Sequence, residues 1–251
     1  MNISPSPLNV TRYAAHLEET LKSKGLEITE GRDFKAFVAA SKEIAARNGV
    51  SAPFDPRFVD IDPADMLWFE ARQDGALIAL QALRRETIST SLAKHLDQQY
   101  RRLYCDPDAS ECEIVNHAPG AFEITGNVVY HGGMYVVKTH RGAGLVKPFA
   151  RLAVVLALLE WNPDYYWGFV DQVLMESGYS IKIGYLHGQP SGTHWANGSP
   201  GKIREHDWLV WSTNKDISYM CASGVRQMHK ERAGPRSTSY TEEAGGCSGI
   251  P

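Results

Sequence analysis

The sequence predicts a mixed α/β fold. Helical stripes and apolar strand runs alternate along most of its 251 residues, the order expected of a sheet covered by helices. Asp74-Gly75 between two apolar runs signals a hairpin, so part of the sheet is antiparallel. A glycine-containing turn, Arg141-Gly142-Ala143-Gly144, then joins an apolar run to an apolar helical segment.

The elements follow in order. Tyr13, Leu17 and Leu21 recur every four residues, predicting a helix over 11–24 that stops at Gly25. Residues 26–29 form a short strand candidate. Asp33 can cap a second helix reaching about Asn48, with Phe34, Phe37, Ser41 and Ile44 along one side. A proline-rich connection over 51–65 leads to the hairpin runs 66–72 and 76–84. Leu92, Leu96, Tyr100 and Leu103 mark a helix over 92–104, and 105–121 reads as loop. The strand 128–137 contains Gly132-Gly133, a pair that suggests a bulge or a close backbone approach. Leu145 to Trp161 is a helix apolar nearly all round, which should be buried. Pro148 falls in its first turn, where a missing N–H does little harm. A strand over 165–170, a short helix over 171–177, and strands over 181–187 and 207–212 complete the series. Residues 230–251 are polar and glycine-rich and read as a disordered tail.

Composition narrows the function classes. A net charge of −3 argues against a general nucleic-acid binder. No apolar run approaches the ~20 residues needed to cross a bilayer. The start MNISPSPLNVTRY lacks the basic and apolar parts of a signal peptide, so the chain is read as cytoplasmic with no membrane partner. Cys105, Cys112, His117 and His131 contain no CxxC pair, and no metal is expected.

The chemistry is expected at the glycine turn. A turn that opens a helix leaves backbone N–H groups without internal partners at the positive end of the helix dipole. Glycines there let a phosphate approach closely. The run Tyr135-Val136-Val137-Lys138-Thr139-His140-Arg141-Gly142-Ala143-Gly144-Leu145-Val146 resembles the strongest motif of the Gcn5-related N-acetyltransferase (GNAT) superfamily. Lys138 stands where proline is common in that motif, and Val146 replaces a usual glycine or alanine.

The resemblance covers about residues 26–212. It implies a GNAT-like domain over 26–229, with a helical insertion at about 90–121 and an N-terminal helical extension over 1–25. It also implies a mostly antiparallel mixed sheet whose central parallel strands splay apart around the pantetheine arm of acetyl-CoA or another acyl-CoA. Val136 and Val137 would offer backbone bonds to that arm, and Arg141, Gly142, Ala143, Gly144 and Leu145 their N–H groups to the pyrophosphate. The expected activity is acyl transfer to a small-molecule or peptide amine by direct attack. A CoA-binding regulatory protein and a synthase using an acyl carrier protein remain alternatives, and pairing of two copies into a homodimer stays open.

Transfer to an amine needs a proton acceptor and stabilisation of the departing thiolate. His131, on the motif strand beside the glycine pair, is the candidate base, with Glu123 as the other; a histidine merely satisfied by a neighbouring carbonyl is the competing reading. Many family members place a tyrosine where this chain has Leu174, so Tyr179, Tyr165 or Tyr166 would serve as acid instead, unless the thiolate departs without a dedicated one.

Overall fold

The structure, a computed structural model, describes residues 6–44, 50–104, 114–196 and 206–233. Helix α1 (Pro7–Lys22) leads to β1 (Glu27–Gly31) and α2 (Phe34–Glu43). The hairpin β2 (Met66–Gln73) and β3 (Ala76–Ile88) is followed by α3 (Leu92–Tyr104), β4 (Ile114–His117) and β5 (Gly126–Val136). After α4 (Val146–Trp161) come β6 (Tyr165–Val170), α5 (Gln172–Glu176) and α6 (Tyr179–Ile183). Strands β7 (His187–Gln189), β8 (Thr193–Trp195) and β9 (Trp208–Thr213) precede the last helix, α7 (Asn214–Ala233).

Seven strands form one sheet in the order β1-β2-β3-β5-β6-β9-β7, and β4 pairs with β8 in a separate ribbon. Among the described residues every pairing is antiparallel except β5 with β6. The expected mixed, mostly antiparallel sheet is therefore present, with its parallel pair at the centre.

Both faces of the sheet are covered, and the strand period of two sorts the side chains between them. On β2, Leu67, Phe69 and Ala71 join the core under α1, α4 and α7, while Met66 and Trp68 join a cluster with Phe34, Phe37 and Phe54. Helix α4 has ten buried residues, as its nearly continuous apolar surface requires. Asp33 caps α2 by accepting from the amides of Lys35 and Ala36.

Four local readings differ. Residues 181–187 were expected to form a strand, but 179–183 are helical; the turn ends at Gly184 in the left-handed region (φ 112°), and Arg151 holds the carbonyls of Ile181 and Lys182. Helix α7 was not anticipated, and it runs to Ala233, into the stretch read as a tail from 230; residues 234–251 lie outside the described residues. Strand β4 and the 3-10 turn Pro119–Phe122 occupy part of the supposed loop 105–121, of which 105–113 are outside the description. Helix α2 ends at Glu43, and the expected terminus near Asn48 is likewise outside.

Nor does α1 stand apart from the domain. Val10, Tyr13, Ala14, Leu17 and Leu21 are buried in the main core. Gly224 makes room for Tyr13 between α1 and α7, since a Cβ there would overlap its ring. Gly224→Val should therefore push α7 off α1. The expected loss is about 1–3 kcal/mol, the usual penalty of overpacking, read from denaturant unfolding; an unchanged midpoint would refute this account of the contact.

Candidate functional site

The site begins where β5 and β6 part. Their parallel register covers three pairs: Val128 with Tyr165, Val129 with Tyr166, and Tyr130 with Trp167. Beyond them β5 continues to Val136 on β3 alone, while β6 continues on β9. The cause lies in β5. Between the pairs Ala82–Gly132 and Leu80–Tyr135 the strand carries one extra residue, so Gly133 and Met134 together face Gln81. Gly133 adopts φ 61°, a conformation that favours glycine. A bulge of this kind bends its strand and strengthens the local twist, which carries β5 away from β6. The bulge expected at Gly132-Gly133 is thus present. At the vertex Gly168 lets the strands touch, because a Cβ there would sit 2.8 Å from the His131 carbonyl oxygen.

The resulting gap encloses about 230 Å³. His131 to Met134 form one wall and Gly168 to Val170 the other, with Leu174, Tyr179 and Tyr185 from the following segments closing over it.

His131 is buried, and its Nε2 lies 3.1 Å from Gln81 Oε1. Gln81 is itself fully buried and donates through Nε2 to the Phe149 carbonyl on α4 at 2.6 Å. That bond fixes the amide, so its oxygen accepts and His131 Nε2 carries the proton. The lone pair is left on Nδ1. Burial pushes the His131 pKa down to about 4, so the imidazole is neutral at neutral pH. The Tyr179 hydroxyl donates to Met134 Sδ at 3.1 Å across the gap, and burial pushes its pKa up to about 12. It therefore keeps its proton. Tyr185, buried 6.1 Å from the His131 ring, has its pKa pushed well up by burial too.

The structure brings His131 and Tyr179 to one cavity, but not Glu123. That residue is exposed at the end of the 3-10 turn before β5, roughly 16 Å along the strand from His131 and more, and does not line the gap. Tyr166 is buried beneath the helices, and Tyr165 lies in the parallel section of β6. Leu174 is on α5 at the mouth, 43% exposed.

At its far end β5 runs into the glycine turn. Residues 138–140 make one 3-10 turn, then Gly142 (φ 85°) and Gly144 (φ 72°) take left-handed conformations. Nothing lies within 4 Å of a Cβ built at Gly142, so backbone conformation rather than space calls for glycine there. No side chain caps α4, whose N-cap is Leu145. The first-turn amides of Val146 and Lys147 have no intrahelical carbonyl to reach, and Pro148 has no amide. Residues 141–144 and Lys147 are exposed, and Lys24 reaches in to bond the Ala143 carbonyl at 3.2 Å. The turn is basic, but the amides of Arg141 and Ala143, expected to face a pyrophosphate, are bonded within it to the carbonyls of Lys138 and His140.

Two further details depart from expectation. Val137 uses its N–H on Ile78 and its carbonyl on His140, while the Val136 carbonyl accepts from Arg141 Nε at 3.0 Å. Past Tyr130 the edge of β5 that faced β6 is no longer paired with it. His140 is tied to Gln73 and Thr139. Gln81 and Lys24 escaped the sequence reading; the signal for Gln81 was a lone amide in the apolar run ALIALQAL.

No family model matches the chain, and no curated protein matches it. Solved structures that it resembles include the acetyltransferase of GNAT family from Streptococcus pneumoniae, at 11% identity over 75% of this chain and 99% of that one, with a TM-score of 0.41. A mutant of spermidine N-acetyltransferase SpeG from Vibrio cholerae gives 9% identity, 77% and 96% coverage and 0.43. AAC(6')-Ib in complex with ribostamycin and coenzyme A gives 11%, 61% and 67%, and 0.36. Among the described residues no group of three or more metal-ligating side chains occurs, and no helix is long and apolar enough to cross a membrane.

The buried His131 has a consequence for stability. As pH falls below about 6.5, the unfolded chain takes up a proton at this position that the native imidazole refuses until about pH 4. Stability contributed here is complete above pH 6.5 and is lost as pH falls through that window. His131→Gln should flatten the melting temperature between pH 6.5 and 4 relative to the parent; parallel pH profiles would show that His131 is not the group responsible.

Proposed function

We propose that the chain is a GNAT-like acyltransferase, moving an acetyl or related acyl group from acyl-CoA to an amine acceptor. One observation carries the reading: the open end of the parallel strand pair leads through β5 directly to the glycine turn and uncapped start of α4. An extended thioester arm laid along residues 131–135 would bond the freed strand edge. Its diphosphate would meet a cradle of the amides of Gly142 and of residues 144–147, with Lys24, Arg141 and Lys147 supplying positive charge.

Attack is direct. The amine nitrogen bonds to the thioester carbon, the C–S bond breaks, and the thiolate leaves. A nitrogen becomes strongly acidic once bonded to the tetrahedral carbon, so even a weakly basic imidazole such as His131 suffices to take its proton through Nδ1. That proton returns to the thiolate, which Tyr179 stabilises meanwhile by turning its hydroxyl from Met134 Sδ to donate to the sulfur. Holding amine and thioester together supplies much of the rate.

A second reading, a CoA-binding protein without turnover, is favoured by Leu174 at the mouth, which offers no proton. Release of free thiol when amines are offered with acetyl-CoA separates the two, since mere binding releases none.

Acetyl-CoA and CoA, but not ATP, should raise the thermal midpoint. At a hundredfold excess over the dissociation constant, binding adds ~2.7 kcal/mol, or roughly 5–10 °C for a domain of this size. Gly144→Asp sets a charged side chain on a left-handed glycine at the cradle and should abolish that shift while the chain stays folded. A Gly144→Asp protein that binds CoA as the parent does would remove the cradle from the argument.

A further inference from the structure

A polar cavity of about 290 Å³ lies beside the last part of β3, where Arg84, Arg85 and Glu86 pair with Tyr130, Val129 and Val128 of β5. Residues 58–62 and Asp65 form its second wall and Gln99 of α3 its third, and it shares no lining residue with the gap. Its charged groups are unevenly placed. Arg84 pairs with Glu86, and Arg85 with Asp65. Asp60 and Asp62 add two carboxylates at the exposed rim, so the mouth is negative.

The buried end is polar and incomplete. Arg84 is only 8% exposed; its Nη1 bonds the Pro53 carbonyl at 2.7 Å and its Nη2 bonds Glu86 Oε1, while its Nε has no partner. Glu86 Oε2 and Gln99 Oε1 are likewise buried without a partner. Burial alone would raise the Glu86 pKa, but His95 and Arg84 outweigh it and hold the carboxyl below its ordinary value. It is therefore an acceptor at neutral pH. Folded chains rarely leave one buried polar atom unmatched, so one donor and two acceptors around a single cavity call for a shared partner.

We propose that this cavity binds a small hydroxylated ammonium ion, an amino alcohol. A hydroxyl both accepts and donates: its oxygen can take the Arg84 Nε proton while its own proton goes to Glu86 Oε2 or Gln99 Oε1. The ammonium, which only donates, suits the carboxylates of Asp60 and Asp62 at the mouth. A bare ammonium ion leaves Arg84 Nε unmatched, and an anion meets the negative rim. The volume falls just below the roughly 300–1,000 Å³ of pockets for drug-sized ligands, which suits a compound of a few carbons. The cavity is also joined to the gap. Arg84 holds the Pro53 carbonyl in the 3-10 turn Ala52–Phe54, and Ser51, directly before that turn, lines the gap.

The test is an NMR titration of the full chain with three probes: ethanolamine, ethylamine and ethylene glycol. Ethanolamine should bind saturably. Ethylamine lacks the hydroxyl and ethylene glycol the charge, so each should bind at least fivefold more weakly. Gln99→Leu removes one inner acceptor and should erase the preference for ethanolamine over ethylamine. The double variant Asp60→Asn with Asp62→Asn changes only exposed side chains, and it keeps the test readable should Gln99→Leu fail to fold. It should weaken ethanolamine at least fivefold and leave ethylene glycol unchanged. The assignment is overturned if ethanolamine does not saturate, if ethylamine matches it on the parent, or if the double variant binds it as tightly as the parent. The inner polar atoms would then be matched by a buried water only.

Discussion

A single extra residue in β5 sets the geometry on which the rest of the molecule depends. Because Gly133 and Met134 share one partner position opposite Gln81, the strand cannot keep straight, and its pairing with β6 ends after three residues. Sheets resist such an opening, since every unpaired amide and carbonyl in a buried setting is a liability. The opening persists here because a left-handed glycine lets the bulge form and Gly168 lets the strands close tightly just before it. Strand edge, cavity and candidate base all follow from that one irregularity.

Gln81 shows how the bulge is turned to use. An amide buried in an apolar strand needs partners for both ends. Here one end takes the Phe149 carbonyl on α4 and the other takes His131, so the helix that opens at the cradle also sets the tautomer of the imidazole in the gap. Phe149 is one turn into α4, its own amide bonded to the Leu145 carbonyl. The two halves of the site are thus joined by three hydrogen bonds rather than by proximity alone. His131 is thereby satisfied at Nε2, as the competing reading of this residue has it, while its lone pair stays on Nδ1.

The sequence exposed these features unevenly, for physical reasons. Asp74-Gly75, Gly132-Gly133 and Arg141-Gly-Ala-Gly were legible because glycine marks backbone conformations that other residues avoid. Helix α3 was legible at both ends because Leu92, Leu96, Tyr100 and Leu103 recur at helical spacing in the sequence. The β4–β8 ribbon was not, since it pairs residues such as His117 and Thr193 far apart in the chain, and each strand is too short to show a period. Helix α6 was hidden because five residues cannot distinguish helix from strand, and its Arg151 contacts are tertiary. Helix α7 carries a stripe, Ile217, Met220, Cys221 and Val225, but Gly224 breaks its density, and that glycine is explained only by Tyr13 on another helix. Glu123 illustrates the opposite error: nearness in sequence to β5 placed it at the wrong end of the strand.

The N-terminal helix lies outside the stretch that carries the resemblance, and its packing bears on the site. A segment outside the resemblance invites reading as an appendage, yet Leu21 is fully buried and Lys24, just past the helix, reaches the Ala143 carbonyl inside the cradle. An ammonium bonded to that carbonyl does two things. It offsets the partial negative charge of that oxygen, and it adds positive charge beside the positive end of α4. Tyr13 adds a third link through Arg151, whose guanidinium also holds α6, the element that carries Tyr179. The helix thus stabilises the cradle from one side and the lid of the gap from the other. A chain lacking it would lose not only apolar burial but the side chains that hold both halves of the site in register.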